Sequence, residues 1–453
     1  MNRFLTIVLL CVAALLGGWA VLFINYLSAL GGGVAQAKTV WAAIALALAL
    51  AVGACRLSVG AKFKIFALFA GLFLVELVLQ AAAWLGVLPG VSTKLKVPFA
   101  RVYWRAEGHG NSIRNRYGWY YPAFDLKAPH RIALIGDSQV EAVEVPRTRN
   151  QAADLQSLLG EKSSGWAVLG LGSHGTCVAH SIEVLDYAYR HFHPEEALVV
   201  ISVGSDITEA SPELNNLGAS QYIYYNLGRD GSIVLNPASE GARNRFDAIM
   251  ELGHHSLLVT LPVILSSHCM MLQTLTSIRD ALHTRRRQAE LAARAAKERS
   301  NQPDEFQRLG FNAAPFAINR EALARQAMEI VLGEVRRCQE ICESRGMKLR
   351  LVTIPAFPKP FYDSQHGTNW TMRIGDYDYL GPEREIVDYA RSRGISVLSM
   401  AEHFQDRKLD VEEIRSLYWS NGMGHLTEKG HRMCAEAIFK TFYQTNTAAQ
   451  RSQ

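Results

Sequence analysis

The sequence predicts an α/β protein, in which a three-layer domain built on a parallel sheet follows transmembrane helices at the N-terminus. Two observations lead to this fold class. About the first ninety of the 453 residues are almost wholly apolar, whereas the remainder has the composition of a soluble enzyme. Beyond residue 130, short apolar segments alternate with longer amphipathic ones. Such alternation is typical of a parallel sheet covered by helices on both faces.

Three apolar runs near the N-terminus, 4–27, 40–55 and 65–88, are candidate membrane helices. A helix needs about 20 apolar residues to cross a bilayer, so the first and third runs suffice and the second is short. A cleaved signal peptide does not explain the first run, which is too long and is followed by two more. We therefore expect a membrane anchor of three transmembrane helices over residues 1–90.

The charges of the short loops predict how these helices are oriented. If the N-terminus is cytoplasmic, Arg3, Arg56, Lys62 and Lys64 lie on the cytoplasmic side, whereas the opposite short loop holds only Lys38. An excess of basic residues in short cytoplasmic loops is the usual arrangement in membranes. After three crossings, the large domain is expected outside the cytoplasm.

The remaining chain divides into an entry segment, an α/β domain with one insertion, and a flexible tail. Short apolar segments are predicted to be strands, and longer amphipathic segments are predicted to be helices. The predicted boundaries are 91–130 for the entry segment, 131–443 for the domain, 207–319 for its insertion and 444–453 for the tail. The predicted strands are 131–135, 166–171, 197–203, 348–354 and 394–399, and the predicted helices are 150–160, 176–192, 320–346, 382–393 and 427–443.

The insertion contains an apolar run and a basic stretch that do not fit the core alternation. Pro262 and two polar breaks within the run 257–275 argue against a fourth membrane crossing. The arginine-rich stretch 285–294 has two interpretations. It is either a helix with a solvated basic face or an amphipathic cap near an anionic membrane surface or a polyanionic glycan.

The tripeptide Gly136-Asp137-Ser138 follows the first predicted strand and precedes a helix. Gly136 permits an abrupt turn, and a serine at a strand-to-helix turn projects its hydroxyl from the sheet edge. The backbone N–H of such a serine has no partner within the helix. Ser138 is therefore a candidate nucleophile for attack on a carbonyl and for stabilising the resulting oxyanion. The tripeptide alone does not establish this role, because a strand followed by a polar turn is common.

A candidate base lies near the C-terminus. His425 occupies a glycine-rich loop just before a helix that Thr427 is expected to cap. Gly175 and Ser205 follow two other predicted strands, as Ser138 follows the first. Because ligands of parallel sheets bind beyond the carboxyl ends of the strands, these residues are expected to surround one site.

These motifs, in this order, resemble the SGNH (GDSL-type) hydrolase family over residues 110–443. The resemblance implies a flavodoxin-like domain in which Ser138 is the nucleophile and His425 is the base. It also implies an oxyanion hole formed by the N–H groups of Ser138 and Gly175 and by the side chain of Ser205. The segment 115–119 resembles the Asn-x-x-Gly lead-in of membrane-associated members that act on envelope polysaccharides.

Two positions depart from the family pattern. Ser205 stands where members carry an asparagine that donates to the oxyanion, and the loss of a well-placed donor costs on the order of 10²–10³ in turnover. Gly422 and Met423 stand where members place the aspartate that orients the histidine. Asn421, Glu428 or a backbone carbonyl is expected to orient His425 instead. Without a carboxylate partner, His425 is expected to titrate near or below about 6.5.

The function implied by the resemblance is acyl-ester chemistry by a multi-pass protein of a bacterial cytoplasmic (inner) membrane, with its large domain extracytoplasmic. Attack of water on an acyl-enzyme makes a serine esterase, and attack of a sugar hydroxyl makes an O-acyltransferase. The expected substrate is an ester, often acetyl, of an envelope polysaccharide or exopolysaccharide. The expected partners are the lipid bilayer, an acylated polysaccharide or acyl donor, and a membrane-embedded acyltransferase or secretion complex. The alternative is a catalytically degenerate subunit that binds glycan or scaffolds a polysaccharide-secretion complex.

Several other classes of function find no support in the sequence. The net charge of +5 is too mild to indicate nucleic-acid binding. Neither His191/His193 nor His254/His255 has a matched carboxylate or cysteine cluster in sequence, so neither a metal nor another cofactor is expected. The cysteines show no Cys-x-x-Cys pattern. Most are expected to be small buried hydrophobic residues, and one disulfide is conceivable in an oxidising compartment.

Overall fold

A five-stranded parallel sheet forms the centre of the large domain in this computed structural model. The structure describes residues 1–29, 37–88, 96–105, 107–162, 165–215, 222–276, 278–279, 282, 314–355, 373–374, 376–419 and 424–444.

The predicted parallel sheet is confirmed, and all five of its strands match predicted strands. The strand sequences are almost continuously apolar because helices cover both faces. Numbered along the whole chain, the sheet strands are β3 (His130–Gly136), β4 (Trp166–Gly172), β5 (Glu196–Val203), β8 (Lys348–Pro355) and β11 (Ser396–Ser399), in the spatial order β11-β8-β5-β3-β4.

Strand β3 lies where the order of the sheet reverses. The next strand along the chain, β4, pairs with one edge of β3, and β5 pairs with the other. Chain segments that leave β4 and β5 therefore diverge, and a crevice opens at the carboxyl end of β3. Ser138 lies at this end.

The helices around the sheet agree with the predicted ones to within a few residues. They are amphipathic and bury their apolar faces against the strands. These five helices are α5 (Gln151–Lys162), α6 (Val178–Phe192), α10 (Ala322–Ser344), α11 (Gly381–Ser392) and α14 (Glu428–Phe442). The shorter helices of the domain are α4 (Ser138–Glu141), α7 (Ser205–Glu209), α12 (Met400–Asp406) and α13 (Val411–Arg415).

The entry segment and the insertion carry small additional elements. The entry segment forms an antiparallel hairpin, and the insertion contributes a second hairpin and two helices before the basic stretch. The stretch 285–294 lies outside the described residues. These elements are β1 (Arg101–Tyr103), β2 (Asn111–Ile113), β6 (Tyr225–Leu227), β7 (Ile233–Leu235), α8 (Glu240–Glu251) and α9 (Leu257–His268), with 3-10 turns at Pro237–Ser239, Leu252–His254 and Ala314–Phe316. A further short hairpin, β9 (Arg373–Ile374) and β10 (Tyr377–Asp378), lies between β8 and α11.

The N-terminal region forms the apolar helices α1 (Asn2–Ala29), α2 (Ala37–Arg56) and α3 (Val59–Trp84). Two helical stretches, Asn2–Ile24 and Val59–Trp84, are long and apolar enough to cross a membrane, whereas the apolar part of α2 is shorter. Lys62 Nζ donates to Asn2 Oδ1 at 2.9 Å and to Thr6 Oγ1 at 2.8 Å. The starts of α1 and α3 therefore lie at the same end of the helix group. That the chain crosses three times stays a prediction.

All seven cysteines are free. Cys177, Cys338, Cys342 and Cys434 are buried, whereas Cys269 in the insertion is half-buried. Burial raises the pKa of the Cys434 thiol to about 12. No disulfide joins them, and the buried cysteines pack as small apolar side chains, which agrees with the interpretation of most of them as core residues.

Candidate active site

Ser138 is the first residue of α4, directly after the turn that ends β3. The side chain of Asp137 caps this helix by accepting the N–H of Gln139 at 2.9 Å. A Cβ at Gly136 would lie 2.6 Å from the Val140 side chain and 3.1 Å from Val200, so the turn requires glycine. The tight turn holds the Ser138 hydroxyl at the carboxyl end of the sheet, as the sequence predicted.

His425 lies within hydrogen-bond reach of Ser138. The distance from His425 Nε2 to Ser138 Oγ is 2.8 Å. The side chain of Gln139 fixes the histidine loop from both sides, since it donates to Gly424 O and accepts the N–H of Leu426, each at 3.2 Å. The residue after the candidate nucleophile therefore holds the loop that carries the candidate base.

A carboxylate from the entry segment, Glu107, orients the imidazole. Glu107 Oε2 lies 2.5 Å from His425 Nδ1, and Oε1 accepts the backbone N–H of His425 at 3.0 Å. Because an ionised carboxylate only accepts hydrogen bonds, Nδ1 carries the proton in the neutral imidazole, and Nε2 of that form is left to accept from Ser138. The contacts run from Ser138 to His425 and from His425 to Glu107, which is the nucleophile–base–acid arrangement of serine hydrolases.

The expectation that Asn421, Glu428 or a backbone carbonyl orients His425 is thereby corrected. The carboxylate of Glu428 lies 3.0 Å from His109 Nε2 instead, in a pair that is partly exposed to solvent. Asn421 lies outside the described residues. The orienting acid precedes His425 by 318 residues, so no local pattern around the histidine indicates it.

Two glycines let the Glu107 loop lie directly on the chain that follows α4. Gly108 has φ +69°, and a Cβ there would lie 2.2 Å from Glu144 O. A Cβ at Gly110 would lie 1.7 Å from Val143 O. The sequence Glu107-Gly108-His109-Gly110, an acid beside closely spaced glycines, is the signal that could have indicated this loop.

We expect Gly110→Ala to lower acyl-ester turnover by roughly 10²-fold, because a small displacement of an orienting group has an effect of that size. The new Cβ cannot fit against Val143 O, so the loop must move and carry Glu107 away from His425. Turnover of p-nitrophenyl acetate by folded, purified protein checks this. Gly241→Ala is the matched control, since nothing lies within 4 Å of a Cβ there. Equal turnover of the two variants would contradict the role of the loop.

The pKa of His425 is raised to about 9. Burial of the ring opposes its positive charge, but the carboxylates of Glu144, Glu107 and Asp137 outweigh this opposition. The expectation that His425 titrates near or below its ordinary value is therefore wrong, because three acids surround it. An imidazolium formed during catalysis is strongly stabilised here.

The two other predicted oxyanion residues lie at the ends of neighbouring strands. Gly175, with φ +65°, lies in the loop after β4. Ser205 is the exposed first residue of α7, and its hydroxyl donates to Ser202 O at 3.1 Å. The hydroxyl proton of Ser205 is thus engaged by the end of its own strand. Its part in an oxyanion hole stays a prediction.

If an asparagine amide at position 205 can donate to the oxyanion, Ser205→Asn should raise turnover by up to about 10²-fold. Ser205→Ala should have a small effect, because the hydroxyl proton already bonds to Ser202 O. Steady-state rates with an acetyl ester distinguish the two variants. A large loss in Ser205→Ala would show that the hydroxyl itself serves the oxyanion.

A buried ionic cluster connects α4 to the entry segment and to the Gly175 loop. Glu141 Oε1 accepts from Lys96 Nζ at 2.9 Å and from Arg114 Nη1 at 2.8 Å, and all three side chains are fully buried. Glu141 Oε2 lies 2.7 Å from the backbone nitrogen of His174 and 2.5 Å from its Nδ1. Although burial favours the neutral acid, the surrounding cations hold the pKa of Glu141 well below its usual range. Glu141 thereby fixes the residue before Gly175.

Glu141→Ala is expected to reduce the free energy of unfolding by about 3–5 kcal/mol, because it leaves buried cations without their partner. Thermal or urea denaturation of the purified protein measures the change. Glu428→Ala removes a largely exposed pair and is expected to cost at most about 1 kcal/mol. Similar losses in both variants would contradict the structural role of the cluster.

The lead-in motif at 115–119 has a structural role in the entry segment. Asn115 Oδ1 accepts the N–H groups of Tyr117 and Trp119, each at 3.0 Å. A Cβ at Gly118 would lie 1.9 Å from Lys96 O, so this glycine permits close packing of the chain against the residue that pairs with Glu141. The motif therefore shapes the segment that supports the site.

A histidine pair away from Ser138 has a carboxylate partner that the sequence did not indicate. Glu251 Oε1 lies 3.0 Å from His191 Nε2, and the rings of His191 and His254 stack at 3.8 Å. Arg190 also donates to Glu251 Oε1, at 2.8 Å. The expectation that these histidines lack a carboxylate is wrong, because the insertion brings Glu251 to α6. One ligand atom from each of His191, Glu251 and His254 lies within 4.8 Å of the other two, so the expectation that no metal binds there stays a prediction.

No protein-family model and no curated protein sequence matches the chain. Solved structures similar to it include TesA, at 10% identity and TM-score 0.33, over 69% of this chain and 98% of that one. A protein of the lipolytic G-D-S-L family from Desulfitobacterium hafniense DCB-2 has 11% identity and TM-score 0.31, over 69% and 99%. The acetyl xylan esterase AlAXEase has 12% identity and TM-score 0.32, over 69% and 99%. The second of these proteins carries in its name the family that the Ser138 and His425 motifs of this chain resemble.

Proposed function

We propose that the protein is a serine-dependent enzyme of acyl-ester chemistry, either an esterase or an O-acyltransferase. The observation that carries this proposal is the continuous contact from Ser138 through His425 to Glu107. A nucleophile, a base and an orienting acid within hydrogen-bond distance are what acyl transfer requires. The three groups come from the entry segment, the end of β3 and the loop before α14. Their contact therefore depends on the fold of the whole domain and is not a result of proximity in sequence.

The first half of the reaction forms an acyl-enzyme. Ser138 Oγ attacks the ester carbonyl carbon while its proton passes to His425 Nε2. The carbonyl oxygen becomes an oxyanion, which we expect to accept hydrogen bonds from the N–H groups of Ser138 and Gly175. The tetrahedral intermediate then expels the alcohol, which takes the proton from His425. Glu107 stays ionised throughout and stabilises the imidazolium.

The second half of the reaction decides between hydrolysis and transfer. His425 removes a proton from water or from a sugar hydroxyl, and the resulting oxygen nucleophile attacks the acyl carbon. Collapse of the second tetrahedral intermediate returns the proton to Ser138 and releases a carboxylic acid or a new ester. The acyl-enzyme is common to both routes.

We infer that the substrate is an ester, in the first place an acetyl ester, of an envelope polysaccharide or exopolysaccharide. The apolar helices within residues 1–90 support anchorage to a membrane, and the loop charges support a multi-pass protein of a bacterial inner membrane with an extracytoplasmic domain. Such a position favours a glycan as acyl acceptor or donor and a membrane-embedded acyltransferase or secretion complex as partner.

The proposal is tested by supplying purified full-length protein with p-nitrophenyl acetate, with and without a deacetylated oligosaccharide. Turnover that depends on Ser138 supports the enzyme. Acetylated oligosaccharide, detected by mass spectrometry, indicates a transferase, and free acetate alone indicates an esterase. If neither product forms and Ser138 never becomes acylated, the protein is the degenerate, glycan-binding or scaffolding subunit instead. The contact between Glu107 and His425 speaks against that alternative, since it fills the missing acid position.

A further inference from the structure

We infer that residues 257–276 form a membrane-inserted element, which lies among lipid acyl chains beside α1 and α3 and holds the catalytic domain against the bilayer. The inference rests on membrane anchorage by α1 and α3, but not on the proposed chemistry of Ser138. In sequence, this segment contains no Asp, Glu, Lys or Arg.

One face of α9 packs on the end of α1 and on the entry segment. Val259, Val263 and Ile264 contact a buried apolar cluster that includes Tyr26 of α1 and Val97 of the entry segment. Tyr26 lies in the last turn of α1, at the same end of the helix group as the end of α3. The segment therefore lies where the anchor meets the catalytic domain.

Two polar side chains of α3 bind the backbone where α9 ends. Glu76 accepts the N–H groups of Met270 and Met271, each at 2.8 Å, one on each carboxylate oxygen. Gln80 Nε2 donates to His268 O at 2.7 Å. These bonds satisfy the backbone groups left open between α9 and the helical residues that follow it.

The depth of Glu76 places this junction inside the hydrocarbon layer. Glu76 precedes the last residue of α3, Trp84, by eight positions. At a rise of about 1.5 Å per residue it therefore lies about 12 Å below the end of the helix. A carboxylate and irregular backbone are each costly in lipid, and they occur at such depth where protein groups satisfy them. Their mutual hydrogen bonds meet this condition.

The opposite face of the segment carries a stripe of large, exposed apolar side chains. Leu258 and Leu265 are seven residues apart on α9 and are 65% and 54% exposed, and after the break at Cys269 the helical residues Leu272 and Leu275 are 42% and 58% exposed. A seven-residue interval keeps side chains on one side of successive helical turns. Exposed apolar stripes of this kind mark a contact surface. The segment is bound through Glu76 and Gln80 to α3, whose apolar surface is largely unburied and which is long enough to cross a membrane, so the proposed occupant is the bilayer.

The same element holds the base of the hairpin that carries Glu107. The backbone N–H of Arg101 donates to Ser267 Oγ at 3.0 Å, and Arg101 Nη1 donates to Gln80 Oε1 at 2.9 Å. Arg101 begins β1, so the membrane element positions the strand that leads to the Glu107 loop. Arg101 therefore links the position of the membrane element in the bilayer to the position of Glu107 in the active site.

The test uses full-length protein in phosphatidylcholine nanodiscs, with an environment-sensitive fluorescent amino acid in place of Leu265. The matched control carries the same probe at Val234, which is 56% exposed on the β6–β7 hairpin. We expect doxyl-labelled phosphatidylcholine to quench the Leu265 probe several-fold more than the Val234 probe, and aqueous iodide to show the opposite preference. A Leu265 probe that iodide quenches as strongly as the Val234 probe would overturn the inference. A probe that neither reagent reaches would overturn it too, since the stripe would then face protein.

The role of Glu76 has its own variant and readout. With the probe at Leu272, Glu76→Ala is expected to reduce quenching by doxyl lipid and to increase quenching by iodide, because the junction loses its acceptors. Unchanged quenching would contradict docking through Glu76. Neither measurement depends on ester turnover, so failure of the membrane inference and failure of the proposed chemistry are separately visible.

Discussion

Ser138→Ala, His425→Ala and the double variant should each lose acyl-ester turnover by a similar factor, roughly 10⁶-fold for a nucleophile and base that act as one unit. The reason is that the 2.8 Å contact between Ser138 Oγ and His425 Nε2 makes either group ineffective without the other. Steady-state kcat values with p-nitrophenyl acetate measure the losses.

The control for this series is Ser157→Ala. Ser157 is an exposed serine of α5, and its hydroxyl donates to Glu161 of the same helix. This substitution should leave turnover unchanged. Losses in Ser138→Ala and His425→Ala that are modest and multiply in the double variant would falsify a shared mechanism. They would mean that the two residues contribute through separate effects.

Glu107→Gln should lower kcat by roughly 10⁴-fold, the size of effect seen when an orienting carboxylate becomes an amide. A glutamine amide can donate to Nδ1 and so favour the tautomer in which Nε2 carries the proton. That tautomer cannot accept the proton of Ser138. The comparison of kcat in the parent and the variant at a pH above the midpoint of each profile measures this loss.

The pH dependence gives Glu107 a second, independent signature. Because the pKa of His425 is raised to about 9, the imidazole is mostly protonated at neutral pH and activity should rise with pH through a midpoint well above about 6.5. Removing the Glu107 carboxylate removes part of what raises the pKa, so the midpoint should fall. Glu428→Gln is the control, since its carboxylate pairs with His109. An unchanged midpoint in Glu107→Gln, or a shifted one in Glu428→Gln, would contradict the assignment.

Much of the fold could be predicted from local sequence. The strands are continuously apolar and the helices strongly amphipathic, because parallel strands are buried on both faces and helices on one. Ser138 and Gly175 were placed correctly at strand ends since the glycines beside them mark the turns. His425 was placed correctly before α14 because Thr427 caps that helix.

The carboxylate partners of His425 and His191 could not be predicted, because both contacts depend on packing between segments that are distant in sequence. Glu107 reaches His425 because Gly108 and Gly110 permit contact with the chain after α4, and the spacing of these glycines indicates a close approach without indicating which residue Glu107 meets. Glu251 reaches His191 only because the insertion folds back on α6. In both cases a carboxylate meets a histidine that is distant in sequence, and periodicity cannot indicate such a pair.

Labelling by a serine-reactive fluorophosphonate tests most directly whether Ser138, His425 and Glu107 form a working acyl-transfer site. We expect one covalent adduct per chain in the parent, located on the Ser138 peptide by mass spectrometry. We also expect no adduct in Ser138→Ala and slow labelling in Glu107→Gln. Folded parent protein that forms no adduct, or an adduct that persists in Ser138→Ala, would contradict an acyl-transfer site built from these three residues.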